Sequence, residues 1–133
     1  MRVQDFRGVY DVTAPEELEK ILRRRYGNDL NAFWLSHGTE LYPVLVITVR
    51  GDDASLWFAP EEGNPGFNSV AEAIAAEPEQ VRFLADEGGD ELWISNKFVV
   101  PMSVAIAAAK EFLVSKRLPQ SVKWLAVSGS GIR

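Results

Sequence analysis

Two spacings of apolar residues run along this chain, and each predicts a different kind of element. Over residues 16–26, Leu18, Ile21, Leu22 and Tyr26 fall at helical spacing and form one apolar stripe. Thr13 with Glu16 fits a capping box, Pro15 suits the first turn, and Gly27-Asn28 suits the end. Arg23, Arg24 and Arg25 fall in the last turns, where the helix dipole favours cations. A second helix is predicted over residues 102–116. Ala105, Ala108, Ala109, Phe112 and Leu113 share its broad apolar face, Ser103, Lys110 and Lys116 look outward, and Pro119 stops it.

Elsewhere the apolar residues come in short runs rich in β-formers. Residues 41–50 and 54–59 read as a hairpin turned by Gly51-Asp52-Asp53. Their near-continuous apolar character marks central strands, covered on both faces or using one face for an interface. A second hairpin is predicted from residues 81–85 and 91–95 around the turn at 86–90, and a last strand over 122–127. Val9 and Val12 flank a short first strand. Residues 60–68 read as a loop, 70–76 as a brief helix, 34–39 as a helix end or turn, and 128–133 as a small tail. The sum is an α+β single domain over residues 1–133, with a mainly antiparallel sheet packed against the 102–116 helix and an N-terminal helix.

Composition supports a core. The chain has 133 residues, 47 % of them apolar and 25 % charged, and a domain of this size buries roughly two thirds of its extended surface. The absence of cysteine excludes disulfide scaffolds and thiolate metal or nucleophile chemistry. No apolar run approaches the roughly 20 residues of a membrane span, and the first residues lack a signal core, so a cytoplasmic protein is expected.

Charge changes the picture more. Residues 1–51 hold seven acidic and seven basic side chains. Residues 52–91 hold eleven acidic and one basic, Arg82, and residues 92–133 hold one acidic, Glu111, and six basic. The middle of the chain is therefore expected to set up a negative field that suits a basic protein and repels phosphate backbones. The plain alternative is that these carboxylates solubilise loops, or that the basic final third folds back beside them.

Candidate chemistry is sparse. His37 is the single histidine, and no HExxH or other clustered ligand set accompanies it. His37 with Ser36 or Ser128 and an acid makes a triad only on paper, because a triad is a matter of geometry. A structural or surface place for His37 is the simpler reading. The loop at 61–66 has adjacent Glu61 and Glu62 and no Lys-Ser or Lys-Thr, so it is no phosphate cradle, and it lacks the ligand alternation of an EF-hand. Asp86, Glu87, Asp90 and Glu91 read first as a solvated turn. No catalytic residue, metal or other cofactor is expected. Trp57, Trp93 and Trp124 fall in predicted strands, where they form a shared aromatic core or leave at least one ring exposed as an interface anchor.

The run Val100-Pro101-Met102-Ser103-Val104-Ala105-Ile106-Ala107-Ala108-Ala109-Lys110-Glu111-Phe112-Leu113, followed by Arg117-Leu118-Pro119, Val122 and Trp124, resembles the Imm1 family of bacterial immunity proteins. The strand with Trp57 and the Gly/Asn/Pro loop at 63–66 also suit that family. The resemblance implies an α+β protein that protects a bacterium from a toxin of its own or its kin, by stoichiometric binding rather than catalysis. Such toxins often carry deaminase or nuclease domains. The expected partner is then a basic cognate toxin whose active site or substrate groove an acidic surface covers. Trp57, Glu61, Glu62, Asp86, Glu87, Asp90 and Glu91 are the expected contacts. Pro101, Glu111, Phe112, Pro119 and Trp124 match the family pattern and are expected to hold helix to sheet. Direct nucleic-acid or membrane binding is not expected, and a homodimer stays open. Two other readings compete: a small-ligand or enzymatic domain with a pocket at Trp93, Tyr42 or His37, and a homo-oligomeric scaffold subunit.

Overall fold

The computed structural model describes residues 1–73 and 77–127. Ten strands form: β1 (Arg2–Gln4), β2 (Val9–Asp11), β3 (Leu30–Ser36), β4 (Val44–Arg50), β5 (Asp53–Ala59), β6 (Phe67–Val70), β7 (Gln80–Leu84), β8 (Glu91–Ser95), β9 (Val99–Pro101) and β10 (Lys123–Ala126). The helices are α1 (Pro15–Leu22) and α2 (Met102–Ser115). One antiparallel sheet runs in the order β10-β6-β5-β4-β3-β1-β2, with β9 beside the first half of β5. Strands β7 and β8 form a separate ribbon, and β7 lies across β3 and β4.

The hairpin of β4 and β5 is the spine. Its seven pairs run from Val44 opposite Ala59 to Arg50 opposite Asp53, around a two-residue loop. Gly51 opens that loop at φ 57°, a left-handed backbone that favours glycine. Period-two alternation then sorts the side chains. Phe33, Leu35, Leu45, Ile47, Val49, Leu56 and Phe58 bury one face against Leu18, Ile21 and Leu22 of α1 and Ala105, Ala108, Ala109 and Phe112 of α2. The alanines let α2 lie close to the sheet. The fully buried Phe112 ring meets Phe58 edge-on, with centroids 6.0 Å apart.

Four of the five family-pattern residues, Glu111, Phe112, Pro119 and Trp124, lie where α2 returns to the sheet, and Pro101 lies at its start. The Trp124 indole N–H donates to the Pro119 carbonyl at 2.8 Å. Glu111 accepts the backbone N–H groups of Gln120 and Ser121. Pro101 stands opposite Asp53 and precedes the first residue of α2.

Several elements depart from expectation. The first helix is not N-terminal, since two strands precede it, and it stops at Leu22 rather than Tyr26. No capping box forms: Ala14 holds the cap position, one residue past Thr13. Arg25 lies beyond the helix and donates to the carbonyls of Leu22, Arg24 and Gly51, tying the helix exit to the β4–β5 turn. Residues 34–36 belong to strand β3, not to a helix end, and residues 67–68 open β6 rather than close a loop. Val70 ends β6 where a brief helix was expected. The rest of that reading, at 74–76, and the tail at 128–133 with Ser128 fall outside the described residues.

A buried polar hub anchors the β7–β8 ribbon. Asp5 is 4 % exposed. Its carboxylate accepts the N–H groups of Arg7 and Gly8, the Tyr26 hydroxyl at 3.0 Å and the Asn31 amide at 3.2 Å. Arg7 stacks over the Tyr26 ring, 4.2 Å from its centroid, and forks onto Glu87 in the β7–β8 turn. The side-chain hydrogen bond from Arg7 holds the Glu87 carboxyl below its usual range. Burial, and then the hydrogen bond to Asp5, push the Tyr26 phenol up to about 12.

Two predictions test this framework. Phe112→Ala should cost about 3–5 kcal/mol in denaturant unfolding, and a loss under about 1 kcal/mol would contradict the packing described. Of the three tyrosines, ultraviolet titration should show Tyr26 ionising near pH 12 rather than near the usual value of about 10. Because its folded pKa is raised, the stabilisation it gives is complete below pH ~10 and is lost as pH climbs towards 12. Asp5→Asn should bring the midpoint down, and an unmoved midpoint would remove Asp5 from the cause.

Candidate partner-binding groove

The sheet face turned away from the helices carries a different set of residues. Strand register places Gln4, Trp34, Val46, Trp57, Asn68 and Leu125 opposite one another in a single row across six strands. The adjacent row holds Ala32, Thr48 and Ser55. Val81 and Phe83 of β7 are buried, and the ribbon covers the part of this face near β3 and β4. What it leaves is an open groove of about 500 Å³ between β8 and the row of Trp34, Val46, Trp57 and Asn68, with Phe98 also in its wall.

Three tryptophans from three strands line it, and each is held differently. The Trp57 indole donates to the Pro65 carbonyl at 3.0 Å. Gly66 lies flat beneath that ring at φ 83°, where an added Cβ would come within 2.6 Å of the indole nitrogen. The Trp93 indole donates to Glu91, whose other oxygen accepts Arg82 at 2.9 Å, and the ring is 56 % exposed. Trp34 stands half-buried between Gln4 and Val46. Phe98 is fixed through its carbonyl, which accepts the hydroxyls of Ser55 and Ser69 where β6 and β9 diverge from β5.

The acidic residues fall into two groups. Glu61 and Glu62 follow β5 past Ala59, at the end of the sheet where Val44 starts β4. Asp86, Glu87 and Asp90 sit in the β7–β8 turn, held by Arg7, whose neighbour Phe6 donates its N–H to Asn31 near the start of β3. Register therefore sets the two groups at opposite ends of the strands. Glu87 and Glu91 are paired with arginines, while Glu61, Glu62, Asp86 and Asp90 are exposed and join no ion pair among the described residues. Nor does any ion pair there link the acidic middle to the basic final third.

His37 is distant in role from this groove. Its Nε2–H donates to the Phe112 carbonyl at 3.0 Å, its ring packs on Phe112, and burial lowers its pKa. Of the rival pocket residues, the groove includes Trp93 but neither Tyr42 nor His37. Among the described residues no group of three His, Asp or Glu side chains gathers as metal ligands, and no helix is long and apolar enough to cross a membrane. Trp34, Asn68 and Phe98 escaped sequence reasoning. The run Leu30-Asn31-Ala32-Phe33-Trp34-Leu35 carried the only available signal, six residues compatible with a strand.

Comparison with known proteins adds to this geometry. A family model described as "Immunity protein Imm1" matches residues 7–126, from the β1–β2 turn to the last residue of β10. A double-stranded DNA deaminase immunity protein from Burkholderia cenocepacia (strain H111) is 28 % identical over 124 residues, covering 93 % of this chain and 98 % of that relative.

Proposed function

Because this chain belongs to the Imm1 family of immunity proteins, we propose that it neutralises a cognate bacterial toxin of the deaminase type through the tryptophan-lined groove and its acidic flanks. The inhibition is stoichiometric. A toxin that acts on DNA presents a basic, concave substrate surface, because phosphate binding recruits Lys and Arg. Glu61, Glu62, Asp86 and Asp90 steer that surface inward, with Glu87 and Glu91 already paired with Arg7 and Arg82, while Trp57, Trp93 and Trp34 supply contact area that is desolvated on docking. The complex then occludes the toxin's active site or substrate groove.

The observation that carries this reading is the pairing of an open aromatic groove with four exposed carboxylates, Glu61, Glu62, Asp86 and Asp90, that join no ion pair among the described residues. Aromatic rings gathered from three strands at one open groove are the kind of surface on which interface anchors are found. The unpaired charges raise the rate of encounter and exclude partners of like charge.

Binding kinetics with the cognate toxin domain provide the test. Trp93→Ala should weaken the complex by about 2 kcal/mol or more, roughly 30-fold, with little effect on folding because the ring is mostly exposed. Asp86→Lys combined with Asp90→Lys should slow association about tenfold and flatten its salt dependence. Val114→Ala, on the outer surface of α2 at 79 % exposure, should change nothing. The reverse pattern would move the interface to the helical face, and absence of a complex at micromolar concentrations would remove the proposal.

A further inference from the structure

Strand β8 is hydrogen-bonded to β7 on one side, and no described residue pairs with its other side. Four consecutive residues, Leu92, Trp93, Ile94 and Ser95, border the groove. Side chains of a strand alternate between faces, so four in a row can line one wall only if that wall contains the backbone edge. Alternate N–H and C=O groups of β8 therefore point into the groove, opposite Trp57 and Asn68 of the main sheet. Proteins ordinarily guard such an edge with proline, lysine, a bulge or a cover. The sequence Glu-Leu-Trp-Ile-Ser contains neither proline nor lysine.

We propose that an extended segment of the toxin adds to β8 as a further strand, lying in the groove beside Trp57 and Trp34. This rests on the toxin-binding function proposed above and specifies how it is carried out. Main-chain hydrogen bonds to β8 supply affinity, and alternate side chains supply specificity. On the inner side, the segment continues the surface of Leu92 and Ile94, which share their ribbon face with the buried Phe83 and Val81, so its inward residues are apolar. On the outer side it continues the row of Glu91 and Trp93, so its outward residues are basic. Asp90 lies beside Glu91, and Glu77 and Glu79 approach the other end of β8, where Asn96 N–H donates to the Glu79 carbonyl. Lys97 is the cation at that end, and it is folded over the Phe98 ring. The matching segment thus alternates apolar and basic residues over about five positions.

Residue-resolved amide exchange tests this with the whole chain, free and saturated with an inactivated form of the cognate toxin domain. Alternate amides within residues 91–95 should exchange about 100-fold more slowly in the complex, while amides of α2 keep their rates. A complex that forms and leaves the β8 amides unchanged would overturn strand addition and leave toxin binding intact. Failure to form any complex would overturn both. Slowing that appears in the free chain and grows with its concentration would assign the edge to a second copy and likewise overturn the proposal.

Discussion

The two-residue alternation of β3, β4 and β5 is the constraint on which everything else depends. It commits Phe33, Leu45, Ile47, Leu56 and Phe58 to the helices and leaves Trp34, Val46 and Trp57 on the other face. A slip of one residue in register would exchange the two sets. It would expose the core and bury the tryptophans, so the core and the tryptophan-bearing face are specified by the same pairing. Phe112 then closes one face, and the β7–β8 ribbon closes only part of the other.

That partial closure leaves the groove open. The ribbon is seated by the burial of Val81 and Phe83 and located by the contact between Arg7 and Glu87. An exposed ion pair contributes little stability by itself. Its importance is positional, because Arg7 is already fixed by the hub of Asp5, Tyr26 and Asn31. The ribbon therefore stands at a defined separation from the tryptophan row, and that separation sets the width of the groove.

Much of the framework was legible in the sequence, for local reasons. The β4–β5 hairpin, the β7–β8 hairpin and α2 all carry strong short-range patterns, and they place Trp57 and Trp93 in strands. Strand β3 was hidden because Leu30, Asn31, Ala32 and Phe33 are all buried, which erases the alternation that marks a strand. Strand β6 was masked by the Gly, Pro and Asn residues at its start, and α1 was overextended because arginines suit a helix end as well as they suit carbonyl contacts. The acidic turn was legible as a turn. Its anchoring by Arg7, 80 residues away, was not, because long-range register leaves no local trace. The same is true of the groove, which gathers Trp34, Trp57 and Trp93 from strands adjacent only in space.

Hydroxyl-radical footprinting at one equivalent of the cognate toxin domain addresses the central claim most directly, because this chain exposes large apolar side chains on both of its broad faces. Loss of oxidation at Trp93 and Trp34, with Val114 on α2 as reactive as before, is the result this account requires. Protection of Val114 with Trp93 still fully reactive would show that the toxin docks on the helices, and the groove would lose its assigned role.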